Sequence, residues 1–253
     1  MPRFLTQRTL YEVREKPSNT YSWIAFLFSN IVTEIFYQLL AGILVYVAWY
    51  FAVFGVHQTA LTQGLMLVFC LQFYLFVATF AFMVIVALPD ANTAANVATL
   101  LFSMMLIFNG TLQIPSVLPG FWKFMWRTSP LTYLNAAWAA TGLAGRPVQC
   151  AMDELAIFDP PQGATCAEYL QPYFQYGAIG KLNNPSANSS CQYCPLRNAD
   201  QFLAQSEIYR SDVNRNIGLV FIYIKFNIVA AVLLYYVFRV RQGWSIRKMF
   251  RRA

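Results

Sequence analysis

Four apolar runs divide this sequence: Ser22 to Phe54, Leu61 to Leu88, Thr93 to Leu112, and Ile217 to Phe238. Each has the roughly 20 mostly apolar residues that a helix needs to cross about 30 Å of hydrocarbon, so each predicts a span. The first would make a helix of roughly 50 Å, which must tilt, bend or protrude. Between the third and fourth runs the pattern changes. Pro115, Pro119 and Pro130 chop the chain. From Pro119, a suitable first helical residue, Phe121, Trp122, Phe124, Met125 and Trp126 alternate with Lys123 and Arg127, which predicts an amphipathic helix at the interface. Leu131 to Leu143 is apolar but too short to span, and is expected to dip in and return. From Gly145 to Arg215 the chain turns polar and rich in Pro, Asn and Gln, the composition of a small folded loop domain. Ahead of the first span, Leu5 to Tyr21 mixes charges of both signs and breaks at Pro17. Thr9 with Glu12 three residues later predicts a capping box opening a short helix with Leu10 and Val13. Such a helix lies along the membrane or docks a cytosolic partner.

Composition agrees with a membrane protein: 58% of residues are apolar and 11% charged, against about 25% charged in soluble domains. The net charge of +7 is unevenly spread. The amino tail has four basic and two acidic residues, the carboxy tail from Arg239 has six basic and none acidic, and Gln113 to Arg215 balances seven against seven. Positive charge collects on the cytoplasmic side, so both tails are expected in the cytosol and the span count is even. The short loop from Pro89 to Asn92, which holds an Asp and no Lys or Arg, adds nothing to this inference. No signal peptide precedes the first run, and the chain is expected to begin in the cytosol. The basic cluster Arg239, Arg241, Arg247, Lys248, Arg251 and Arg252 reads as an anchor on anionic lipid. A nucleic-acid patch finds no support, because no aromatic-interleaved basic surface accompanies it.

With four spans, the polar loop faces the exterior. Four of the five cysteines lie in it: Cys150, Cys166, Cys191 and Cys194. Oxidising surroundings favour two disulfides, which can pair in three ways. The nested pairing, Cys150 with Cys194 and Cys166 with Cys191, is the preferred one. Cys191-Gln-Tyr-Cys194 as half of a zinc site is disfavoured outside a cell. Asn188-Ser189-Ser190 is a candidate glycan acceptor, whereas Asn109-Gly110-Thr111 lies at a span's end, hidden from the transferase. Cys70, mid-span, reads as a small buried apolar residue.

Candidate chemistry is sparse. Glu34 and Lys225 are the ionisable residues inside spans, where such groups face the protein interior or a water path, or snorkel to the interface. The sole histidine, His57, sits in the first outer loop and reads as exposed. No nucleophile elbow, catalytic triad or carboxylate pair stands out, so no catalytic, cofactor or metal residues are assigned. Gly180-Lys181-Leu182 lacks the form of a phosphate-binding loop. Phe69, Phe73, Phe76, Phe80 and Phe82 could line a hydrophobic cavity, although packing is the commoner role.

Several strings in order carry a resemblance: Tyr11-Glu-Val-Arg-Glu-Lys-Pro-Ser18, Thr20-Tyr-Ser-Trp23, Ala87-Leu-Pro-Asp90, Leu106-Ile-Phe-Asn-Gly110, Leu118-Pro-Gly-Phe-Trp122, Gly145-Arg-Pro-Val-Gln-Cys150, Cys191-Gln-Tyr-Cys-Pro-Leu196 and Asn198-Ala-Asp-Gln-Phe-Leu203. Over essentially its whole length the chain resembles the fungal pleiotropic-drug-resistance ABC transporters, G subfamily, in the carboxy-terminal part of their second membrane domain. The resemblance implies an ATP-driven exporter of hydrophobic compounds at the plasma membrane. ATP, Mg2+, the nucleotide-binding domains and the other membrane half would be supplied outside this sequence, and Met1-Pro2 falls at an internal position of the family pattern. The implied fold is an all-α polytopic membrane protein with four transmembrane helices, re-entrant and interfacial helices and a disulfide-stapled extracellular loop domain. Its layout is a cytosolic coupling segment (1–21), three spans (22–54, 61–88 and 93–112), re-entrant and interfacial helices (113–144), the Cys-rich loop (145–215), a last span (216–239) and a basic tail (240–253). The resemblance also assigns Tyr11, Glu12, Arg14 and Glu15 to coupling with a nucleotide-binding domain, and Phe121, Trp122, Trp126 and Tyr133 to a re-entrant outer gate. Where the family commonly has Glu followed by Ile-Pro, this chain has Glu34-Ile35-Phe36, which questions the local helix kink. The alternatives are a non-transporting scaffold or regulator that pairs with a full-length transporter, and a truncated product without function.

Overall fold

Short polar residues at the edges of the apolar runs fix where the helices begin. Ser22 Oγ accepts from Ala25 N at 3.3 Å, Thr59 Oγ1 from Thr62 N at 3.3 Å, and Asp90 Oδ1 from Thr93 N at 2.8 Å, each satisfying an amide that the first helical turn leaves unpaired. In the computed structural model, which describes residues 2–56, 58–112 and 114–241, these caps open α2 (Trp23–Phe54), α3 (Ala60–Ala87) and α4 (Ala91–Ile107). Gly55, at φ +66°, ends α2 in a conformation that costs other residues more. α3 stops ahead of Leu88-Pro89, because the residue before a proline is pushed out of helical geometry. The later helices are α5 (Gly120–Thr128), α6 (Pro130–Leu143), α7 (Cys166–Gln175), α8 (Ala199–Gln205) and α9 (Val213–Tyr235).

The chain divides into two compact units, one of residues 1–138 with 212–253 and the other of residues 139–211. In the helical unit, α3 is central and packs against both α2 and α9. Its mid-section buries Met66, Phe69, Cys70, Phe76 and Phe80. Two polar contacts join α3 to α9: Gln72 Nε2 donates to Ile217 O at 2.9 Å and Asn227 Nδ2 to Thr79 Oγ1 at 3.4 Å. Such bonds hold apolar helices together where lipid offers no competing partner. Gly42 lets α2 approach α3 closely, for a Cβ there would lie 3.1 Å from Leu71 Cδ2. α2, α3 and the stretch Arg210–Val240 around α9 are long and apolar enough to cross a membrane.

The third predicted span is shorter than its apolar run. α4 ends at Ile107, with Asn109 Oδ1 accepting from Thr111 N at 2.8 Å and Gly110 turning the chain at φ +84°. Its 17 residues make about 25 Å, the lower limit for a span. Two helix starts also differ. α1 (Pro2–Leu10) begins well before Thr9, whose hydroxyl donates back to Leu5 O at 2.6 Å, so no capping box forms with Glu12. Pro119 is the residue before α5 and not its first. α2 runs unbroken through Phe36, consistent with the loss of a kinking proline at that place.

The second unit contains regular structure that its Pro- and Asn-rich composition obscures. β1 (Ala156–Phe158), β2 (Lys181–Leu182) and β3 (Cys191–Cys194) form an antiparallel sheet in the order β1-β3-β2, with Phe158 opposite Cys191 and Lys181 opposite Cys194. The disulfides are Cys150–Cys194 and Cys166–Cys191, so both ends of β3 are stapled, one to the start of α7. Gly180 lies hard against β3: a Cβ there would sit 2.4 Å from Cys194 O and from the Tyr193 ring.

Candidate coupling segment and intramembrane polar sites

The N-terminal segment is embedded where its charges suggested a surface. After α1 the chain forms a π-helical turn, Tyr11–Glu15, closed by Lys16 N donating to Tyr11 O at 2.8 Å. Tyr11 is buried and stacks on Phe26 of α2 with ring centres 4.7 Å apart, while its hydroxyl donates to Tyr21 O at 3.3 Å. Phe4 meets Phe82 of α3 at 4.9 Å. Phe4, Tyr11 and Phe26 form one buried cluster with Leu27, Ile85, Val86, Ala94, Ala231 and Tyr235, so the segment shares a core with α2, α3, α4 and α9.

Arg8 is the residue that sequence reasoning missed. The residue is 5% exposed, and its guanidinium donates to Ile85 O at 3.3 Å, Leu88 O at 3.0 Å and Pro89 O at 3.0 Å. It therefore caps the carbonyls that α3 leaves free, at the end of the helix dipole that attracts a cation. Burial, and then the neighbouring Arg239, push its pKa below the ordinary arginine value. Of the residues assigned to coupling, Tyr11 is buried, Glu12 and Glu15 are half-buried and Arg14 is exposed. The Tyr21 hydroxyl donates to Glu15, and this bond raises the phenol to about 12.

Glu34 stands on an exposed face of α2, where Gln38 Nε2 donates to its Oε1 at 2.9 Å. With Ser29, Asn30, Thr33 and Tyr37 it lines an open cavity of about 690 Å3 between α1, α2 and α3. Lys225 is placed elsewhere, on an exposed apolar face of α9 beside Ile222, Phe226 and Val229. The structure does not bring the two together. Phe69, Phe76 and Phe80 are buried packing residues, and Phe82 reaches the cavity edge.

The residues assigned to the outer gate surround the joint between α5 and α6. Trp122 stacks on Phe108 at 5.1 Å, and Trp126 Nε1 is so near Gly110 that a Cβ there would lie 2.9 Å away. Tyr133 donates to Arg127 O at 2.6 Å and Tyr223 of α9 to Thr128 O at 2.9 Å, so two phenols satisfy carbonyls at the end of α5. Ser129 Oγ bonds back to Met105 O at 3.2 Å. Phe121 remains 77% exposed.

In the second unit, Asn188 is exposed, as a glycan acceptor must be, whereas Asn109 is half-buried with its side chain committed to the turn. Cys191 and Cys194 are both in disulfides, which leaves no thiolate for zinc. Cys70 is a buried free thiol. His57 and the basic residues Arg247, Lys248, Arg251 and Arg252 lie outside the described residues.

Comparison with known proteins follows the same lines. Residues 1–141 match the family described as ABC-2 type transporter. The chain is 56% identical over 243 residues to the ABC multidrug transporter MDR1 of Trichophyton interdigitale, and 54% identical over 245 residues to the ABC multidrug transporter atrI of Aspergillus fumigatus. It is 45% identical over 248 residues to the ABC multidrug transporter AFR2 of Cryptococcus neoformans. These alignments cover 95–97% of the chain and 16% of each relative, so the chain spans about a sixth of their length.

Proposed function

The chain belongs to the ABC-2 type transporter family, and from that premise we propose that it forms the carboxy-terminal part of a membrane domain in an ATP-driven exporter of hydrophobic compounds. The observation that carries this reading is the embedded N-terminal segment. Its Phe4 and Tyr11 belong to one buried cluster with residues of α2, α3, α4 and α9, and Arg8 bonds the end of α3, so a force applied to the segment enters the core that these helices share. Tyr11, Glu12, Arg14 and Glu15 receive that force from a nucleotide-binding domain, where ATP and Mg2+ are held. Neither is bound by this chain, and hydrolysis belongs to the domains that bind them. Both termini face the cytosol, the Cys-rich unit faces the exterior of the plasma membrane, and Asn188 carries a glycan. The α5–α6 joint, with Phe121, Trp122, Trp126 and Tyr133, forms the outer gate.

A chimera tests the coupling role. Residues 1–253 replace the matching segment of the Trichophyton interdigitale relative, and ATP hydrolysis is measured in lipid nanodiscs with and without an amphipathic dye. Dye-stimulated hydrolysis that is lost in Arg14→Ala and Glu15→Ala, with basal hydrolysis kept, is the expected result. Stimulation that survives both substitutions removes the coupling role.

A further inference from the structure

Two side chains of opposite charge, Glu12 and Arg239, are half-buried in the helical unit. Oε1 of Glu12 and Nε of Arg239 are both shielded from solvent, and neither has a hydrogen-bond partner among the described residues. Each belongs to a π-helical turn, Glu12 to Tyr11–Glu15 after α1 and Arg239 to Tyr236–Val240 after α9. Such turns are rare, recur at functional sites and hold one residue more per turn than an α-helix, so passing that residue along re-aims the side chains.

The two turns already touch. Lys16 Nζ donates to Arg239 O at 3.3 Å, and the guanidiniums of Arg8 and Arg239 share the carbonyl of Leu88 at 3.0 and 3.4 Å. Glu12 lies one helical turn from Arg8, and among the described residues the one ion pair is Arg215 with Asp212. Two guanidiniums thus converge on one carbonyl while the nearby carboxylate keeps an oxygen unsatisfied. A shielded polar atom left without a partner is unfavourable, and an opposite charge within reach satisfies it.

We propose that Glu12 and Arg239 pair in a second conformation of this unit, reached by a shift of either π turn, and that the pair latches the N-terminal segment to the end of α9. The contact is a property of this chain. Its use in transport rests on the coupling role proposed above. Both are positioning residues: they set where the segment sits and touch no substrate.

Two readouts separate those layers. In the first, Glu12→Cys with Arg239→Cys, on a Cys70→Ala background, is exposed to copper-phenanthroline in vesicles containing the chain. A disulfide between positions 12 and 239 is expected, and its absence at full expression overturns the proposal. In the second, the chimera's dye efflux should fall on the order of tenfold in Glu12→Arg and in Arg239→Glu and recover in the double exchange. A purely structural role predicts that the double variant is no better than either single one, and that result also overturns the latch. Cross-linking without any efflux from the unsubstituted chimera keeps the pair and removes the transport reading.

Discussion

Arg8 concentrates several roles in one side chain. It caps α3, ties α1 to the α3–α4 turn, and lies beside Arg239 at the end of α9. Removing its three bonds takes the donor from the Ile85 and Pro89 carbonyls and leaves Leu88 O to Arg239 alone, so Arg8→Met should destabilise the helical unit by about 2 kcal/mol, read as a lower thermal midpoint in detergent micelles. Arg8→Lys should recover only part, because an ammonium lacks the planar fork that reaches three carbonyls. An unchanged midpoint in Arg8→Met would mean that the bonds contribute nothing. Gly42 gives a second test: Gly42→Leu inserts a side chain where the first carbon already meets Leu71 at 3.1 Å, and should cost about 1–3 kcal/mol. Neither residue was legible in the sequence. An arginine in a charged amino tail reads as solvated, and its burial depends on carbonyls some 80 positions away. A glycine inside an apolar run gives no sign of which helix approaches it.

Elements were read with uneven success, for physical reasons. The long helices were legible because a run that must cover hydrocarbon has few alternatives. Asn109-Gly110-Thr111-Leu112 reads as a turn, and α4 does end just ahead of it, although the apolar run continues to Leu112. The sheet of the second unit was not legible, since strands of two to four residues are stapled by disulfides and not specified by alternation. Those disulfides enclose 25 and 44 positions, and loss of either by Cys→Ala should cost about 3–4 kcal/mol in the loop-closure picture. Protease resistance of the unit, compared before and after reduction, reads this. α7 offers a pH test. Glu168 accepts from Thr165 N at 2.9 Å in a capping box, and these bonds hold its carboxyl below the usual glutamate value. A lowered native pKa means that the stabilisation is complete above the unfolded value and is lost as pH falls through the native one. Glu168→Gln should therefore flatten the acid limb of unfolding, followed by near-ultraviolet circular dichroism. An acid limb of unchanged steepness would assign it to other groups.

For the molecule as a whole, the proposed topology has the basic tails inside and the Cys-rich unit outside. Glycan addition at Asn188, seen as a mobility shift removed by Asn188→Gln and by an endoglycosidase, is the expected outcome of that topology. Modification of an acceptor sequon placed in the amino tail instead would invert it. The family assignment rests on most of this chain, whereas the multidrug transporters that it matches are about six times longer. The direct measurement is energy-dependent efflux of an amphipathic fluorescent dye by the chimera, in drug-sensitive yeast cells. Efflux comparable with the unsubstituted relative and abolished by glucose starvation is expected. A chimera that reaches the plasma membrane, hydrolyses ATP and retains dye like empty cells would contradict it.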